Sequence, residues 1–162
     1  MTEDEKAQTA ALITSTFGDK LWRTLDIGCG TGLPLDLSLA EPVRYVGIDP
    51  STAMLNTLVA KYPHLAGVHP MTFADAIEVR VTCGTQFDTV LALGGSASYL
   101  TAGDIQQLLF KAKGSVLLMH YAPGEEPPTN DINCECAASS IDFAASRGTK
   151  TQIGRCITTV IA

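Results

Sequence analysis

Apolar residues along this chain fall into short blocks divided by polar turns, and the blocks switch between two periods. Ala7, Ala10, Ala11, Ile13 and Phe17 recur at helical spacing, which predicts a helix over Glu3 to Phe17 that Gly18 and Asp19 stop. Trp22 to Ile27 and Val43 to Ile48 read as buried strands, and Val68 to Phe73, interrupted by Pro70, as a third. Phe87 to Leu93 is the clearest strand, and Ser115 to Tyr121 is a fifth. Helices are expected between them over Gly32 to Ala40, Thr52 to Lys61 and Asp104 to Ala112. Pro34 falls in a first turn, and Ser51 or Asp49 serves as an N-cap. The strand blocks are apolar on both faces instead of alternating. Strands of that kind, with helices between them, predict a parallel sheet covered on both sides: a doubly wound α/β domain.

After Tyr121 the rhythm breaks. Ala122 to Asp131 is a loop rich in proline and acid, Cys134 to Ser146 reads as a helix, and Ile153 to Ile161 as a β-branched closing strand. One helix and a hairpin, Thr151 to Ile153 with Cys156 to Ile161, are the most this stretch can hold. At 162 residues the chain is expected to form a single domain. An N-terminal helix (1–20) precedes a core (22–121) and a short C-terminal part (122–162).

Composition narrows the classes. Hydrophobic residues make up 46% and the mean hydropathy is +0.18, enough apolar surface for a packed core and against disorder. The formal net charge is −6, and the eleven basic residues are scattered without a stripe, which argues against a nucleic-acid partner. Five cysteines, an odd count, with a polar and acidic start at Met1 to Lys6, point to a reducing, cytoplasmic setting. No apolar run approaches the roughly 20 residues that span a bilayer, so no membrane association is expected.

The chemistry is concentrated in LDIGCGTG, Leu25 to Gly32. Glycines between a strand and a helix let a ligand approach bare backbone beyond the carboxyl ends of parallel strands. Spacing alone leaves dinucleotide binders and others open. Asp49, 17 residues beyond Gly32, closes the second strand where a carboxylate can accept both ribose hydroxyls of an adenosine. Asp26 stands before the glycines. An anion there repels a pyrophosphate, which disfavours a nicotinamide dehydrogenase, and attracts a cationic ligand such as a sulfonium with a free ammonium.

LDIGCGTG resembles motif I of the class I S-adenosylmethionine-dependent methyltransferases. The likeness continues in order: VGIDPS (Val46 to Ser51) is similar to the acidic ribose motif, and FADA (Phe73 to Ala76) to the adenine motif. FDTVLALGGSASYL (Phe87 to Leu100) is similar to the fourth strand and its loop, and VLLMHY to the fifth strand. The resemblance implies a Rossmann-like sheet of about seven strands, the last antiparallel, with a shortened C-terminal part. It implies S-adenosylmethionine as cofactor and S-adenosylhomocysteine as product. By the same resemblance Gly28 and Gly30 line the methionine part and Asp26 orients its ammonium, while Leu93 offers a carbonyl to that ammonium. Asp49 binds the ribose, Asp75 accepts from the adenine amino group, and the Ala76 amide donates to the ring. Thr31 and Pro50 complete the cofactor-binding set, and Met54 and Phe73 give apolar faces to the adenine. Asp75 as a helix cap, and Met54 and Phe73 as core, are the plain alternatives.

Methyl transfer is an in-line displacement with a good leaving group, so alignment matters more than any single side chain. His120 and Tyr99 are the catalytic candidates. Set against them are a hydrogen-bonded core histidine and a wall residue. The chain lacks the Asp/Asn-Pro-Pro-aromatic stretch and the Pro-Cys pair of other methyltransferase classes. Its LGGSASYL loop is similar to those of enzymes that methylate N or O of small molecules, so a small-molecule acceptor is expected. Cys134-Glu135-Cys136 lacks a Cys-x-x-Cys or histidine partner, so no metal is expected. With no insertion for a lid, the site is expected to be open, or covered by the N-terminal helix, the 122–131 loop, a homodimer partner or another protein. A cofactor-holding module serving such a partner is the alternative to a free-standing enzyme.

Overall fold

Parallel pairing organises the molecule. In the computed structural model, which describes residues 1–78, 87–112, 114–125 and 148–161, seven strands form one sheet in the order β3-β2-β1-β4-β5-β7-β6. β1 (Thr24–Ile27), β2 (Tyr45–Ile48), β3 (Gly67–His69), β4 (Thr89–Ala92) and β5 (Ser115–Tyr121) run parallel. β7 (Cys156–Ile161) is antiparallel to β5, and β6 (Thr149–Ile153) pairs antiparallel with β7 at the edge. The chain winds outward from β1 to β3, then returns to place β4 on the other side of β1. That reversal opens a crevice beyond the carboxyl ends of β1 and β4.

Helices cover both faces, so β5 buries both of its sides. Val116 and Leu118 join one core with Phe73 and Ala76 of α4 (Phe73–Glu78) and Ile105 and Leu108 of α5 (Ala102–Lys111). Leu117 and Met119 join the other, with Ile13 of α1 (Glu3–Phe17), Leu35 of α2 (Leu33–Asp36), and Leu55 and Leu58 of α3 (Thr52–Lys61). α1 starts at a capping box in which Thr2 and Glu5 each accept from the other's backbone N–H.

Several boundaries differ from the sequence reading for local reasons. The block Val68 to Phe73 divides: the strand stops at His69 because Pro70 has no amide for the ladder, and Thr72 caps α4. Instead of spanning Gly32 to Ala40, α2 is a single turn, with Ser38 in the left-handed region at φ 58° just after it. β1 begins only at Thr24. Trp22 is 57% exposed, with the Arg44 guanidinium 3.8 Å above its ring. β2 follows a 3-10 turn over Pro42–Arg44 that takes Val43 out of the strand, and Leu93 falls just past the end of β4. The expected helix at Cys134 to Ser146, with Cys134 and Cys136, and the loop beyond Glu125 lie outside the described residues. Among those described, no helix is long and apolar enough to cross a membrane.

Leu117 is wholly buried in the middle of β5. Leu117→Ala is expected to lower stability by about 2–5 kcal/mol, read as a shift in the urea midpoint with the denaturant slope unchanged.

Candidate functional site

The glycine turn is fastened to the end of β2. The Gly28 and Cys29 amides both donate to the Ile48 carbonyl, at 2.8 and 3.1 Å. The Gly30 amide donates to Asp49 Oδ2 at 2.8 Å, and the Ser51 amide donates to Oδ1 at 2.8 Å. A carboxylate offers about four acceptor sites, so Asp49 keeps room for further donors. Gly28, Gly30 and Gly32 have positive φ of 66°, 52° and 90°. A Cβ on Gly28 would lie 2.6 Å from Ser96 Oγ, whereas one on Gly30 would meet nothing and point into open space. Gly28 is therefore bare because the 3-10 turn Ser96–Tyr99 after β4 presses on it, and Ser96 Oγ donates to the Gly28 carbonyl at 3.1 Å. Thr31 is held by Lys61, which donates to its carbonyl at 3.1 Å and pairs with Asp36.

Asp26 is buried on β1, and its Oδ2 accepts from the Tyr45 hydroxyl at 2.6 Å. Its Oδ1 is buried with no hydrogen-bond partner among the described residues. An orphaned carboxylate oxygen is costly, and here it lies beside a ligand crevice. Burial pushes the Asp26 pKa up to about 7, the Tyr45 hydrogen bond opposes the rise, and the charge of Asp49 adds to it. Burial likewise raises the Cys29 thiol and the Tyr45 hydroxyl, so neither ionises near neutrality.

The other expected site residues divide. Met54 is 48% exposed on α3, just after Asp49, Pro50 and Ser51, and so is not core. Phe73 is buried in the core. Asp75 is exposed and takes Thr72 Oγ1 on Oδ2 at 2.7 Å, the capping role that was its alternative. The Ala76 amide donates to the Thr72 carbonyl at 3.0 Å and the residue is fully buried, so this helical bond removes it as a donor to a ring. The Leu93 carbonyl accepts from the Ser96 amide at 3.0 Å and keeps its second lone pair.

Past the carboxyl ends of β4 and β5 lies a pocket of about 350 Å³, counting space open to solvent, whose walls include Gly94, Met119 and Tyr121. Neither catalytic candidate lines it. Side chains alternate along β5, so His120 points to the face opposite Met119 and Tyr121. It is buried, with Nδ1 2.9 Å from the Tyr121 carbonyl. Tyr99 is half exposed on the 3-10 turn. The pocket instead takes Tyr121, Glu5 and Arg155. Of these, Tyr121 closes the strand that the sequence placed fifth, whereas Glu5 and Arg155 were missed; the Thr2-x-x-Glu5 capping spacing is the signal that marks Glu5. Tyr45 was also missed. Its signal is a phenol in a buried strand, where a hydroxyl needs a partner.

The fold has counterparts among known proteins. The model of a family described as "Methyltransferase domain" matches residues 25–116, more than half of the chain. The chain belongs to that methyltransferase family. A comparison with curated protein sequences finds no match. Among solved structures, the N-methyltransferase NodS from Bradyrhizobium japonicum WM9 aligns with TM-score 0.69 at 12% identity, over 96% of this chain and 92% of that one. CalS10, an amino pentose methyltransferase from Micromonospora echinaspora with S-adenosylmethionine bound, aligns with TM-score 0.65 at 17% identity, over 97% and 89%. Magnesium protoporphyrin IX methyltransferase from Synechocystis, also with bound cofactor, aligns with TM-score 0.61 at 18% identity, over 97% and 78%. At these identities the likeness is one of fold.

The methyltransferase cofactor, S-adenosylmethionine, fits the residues present. Asp26 Oδ1 lacks a donor, the space above Gly30 is open, and Asp49 has acceptor capacity for a ribose beside the exposed Met54.

A raised folded-state pKa makes protonated Asp26 the form that favours folding. Its contribution is complete below the ordinary carboxylate range and is lost as pH rises through about 7. Asp26→Asn is therefore expected to gain stability relative to the native chain between pH 5 and pH 8, in urea titrations of both proteins. A constant difference between them across that range would contradict the assignment.

Proposed function

We propose that this methyltransferase transfers the methyl group of S-adenosylmethionine to a nitrogen or oxygen of a small-molecule acceptor. The observation that carries the reading is the pairing of two acids around one glycine turn. Asp49 is fastened to the Gly30 amide, and the buried Asp26 keeps an oxygen without a donor. This arrangement suits a cationic nucleoside and repels a pyrophosphate.

When bound, the cofactor supplies an electrophilic methyl on a sulfonium: the acceptor's lone pair forms the new bond while the carbon–sulfur pair returns to sulfur. Asp49, already bonded to the Gly30 amide, would hold the ribose through its remaining acceptor sites. Asp26, whose Oδ1 lacks a donor, would hold the ammonium, which favours its charged form. The glycine turn brings backbone against the methionine portion without side-chain interference. The 3-10 turn after β4 is bonded to Gly28 through Ser96, and Gly94, which lines the pocket, lies just before that turn in the chain. Position and orientation are the catalytic contributions these residues make.

One observation supports a small acceptor. The fold neighbours NodS and CalS10 are named for N-methylation and for an amino pentose.

Calorimetry with S-adenosylhomocysteine tests the reading. The native chain is expected to bind it, and Asp49→Ala to bind at least tenfold more weakly, since hydrogen bonds to a charged acceptor contribute about 1.5–3 kcal/mol each. Unchanged affinity in Asp49→Ala, or tighter binding of NAD than of S-adenosylhomocysteine, would overturn it.

A further inference from the structure

The pocket beyond β4 and β5 carries opposite charges on its rim that do not meet. Glu5, on the first turn of α1, and Arg155, in the turn between β6 and β7, both line it. Among the described residues they form no ion pair with each other or with any other group. Each is held by something else. Glu5 Oε2 accepts from the Thr2 amide at 2.7 Å in the capping box, and its Oε1 has no donor among the described residues. The Arg155 guanidinium lies 5.8 Å from the centre of the Tyr121 ring, in cation–π range. Met119, Ile153 and Cys156 give the floor an apolar surface.

The backbone keeps this arrangement tight. Gly154, at φ 55°, precedes Arg155, and a Cβ there would collide with the Glu5 carboxylate. The hairpin turn therefore packs directly on α1, yet the two charges stay apart. A pocket lined by a carboxylate and a guanidinium that are not ion-paired, together with apolar side chains, is complementary to a compact molecule carrying both a cation and an anion.

We propose that the acceptor is a small zwitterion, an amine that also carries a carboxylate, bound with its ammonium on Glu5 and its carboxylate on Arg155; the ammonium gives one proton to the solvent to which the pocket opens, and the freed lone pair takes the methyl while the carbon–sulfur pair returns to sulfur. The proposal rests on the methyltransferase reading above and adds the acceptor's class. Arg155 suits the anionic end because its planar fork matches a carboxylate in two parallel hydrogen bonds. Tyr121 steadies that fork from below.

The test uses the full chain saturated with S-adenosylhomocysteine. Ligand-observed NMR compares α-amino acids and ω-amino acids of three to six carbons with the matching alkylamines and alkanoates. At least one amino acid is expected to bind ten times more tightly than either of its singly charged analogues, and to accept label from S-adenosylmethionine. Glu5→Gln keeps an acceptor for the Thr2 amide, so the helix start survives, and it is expected to reduce binding to that of the alkanoate. Arg155→Gln is expected to reduce it to that of the alkylamine. S-adenosylhomocysteine affinity should be unchanged in both variants. A native chain that binds the cofactor product but shows no preference for zwitterions, or a preference that survives both substitutions, overturns the proposal and leaves the methyltransferase reading standing. A chain that does not bind the product removes both.

Discussion

The structure depends on how the turn after β1 is tied to the end of β2. Two amides of the turn converge on the Ile48 carbonyl, and a third reaches the Asp49 carboxylate. These bonds hold the ligand-facing backbone to a parallel pair of strands with covered faces. The fastening also dictates where side chains are absent. A Cβ on Gly47 would lie 2.7 Å from Cys29 Sγ, and one on Gly32 would lie 2.5 Å from a methyl of Leu58. Glycine in this region lets the turn lie flat on β2 and α3, and at Gly30 it leaves open space for a ligand.

The second constraint is electrostatic. Asp26 is placed where water cannot solvate it, with one partner, Tyr45, and a neighbouring anion, Asp49. A carboxyl so placed near neutrality is balanced between its two forms, and a cation at its free oxygen tips it toward the charged one. In the proposed site, cofactor binding would therefore be coupled to deprotonation of Asp26. Tyr45 sets the balance by donating to the charged form from a fully buried position.

Much of this was legible in the sequence, because its signals are local. Doubly apolar strand blocks, glycines at 28, 30 and 32, and acids at 26 and 49 are each tied to a backbone need that neighbouring residues reveal. The seven-stranded sheet and its antiparallel close followed the methyltransferase resemblance. What failed was decided at a distance or by a single residue. Ser38 in the left-handed region leaves α2 a single turn, and Pro70 divides a block that reads as one strand. His120 was a catalytic candidate set against a hydrogen-bonded core histidine, and side-chain alternation on β5 makes it the core histidine. The Glu5 and Arg155 pocket joins residues from the two ends of the chain, a meeting that only the β6–β7 hairpin packing on α1 creates.

The most direct measurement is a crystal structure of the chain grown with S-adenosylhomocysteine. The account predicts the ribose hydroxyls on the free lone pairs of Asp49, the ammonium facing Asp26 Oδ1 with the Tyr45 hydrogen bond intact, and the sulfur turned toward the pocket at Gly94. Ligand density outside the crevice, or a ribose away from Asp49 and an ammonium away from Asp26, would contradict it.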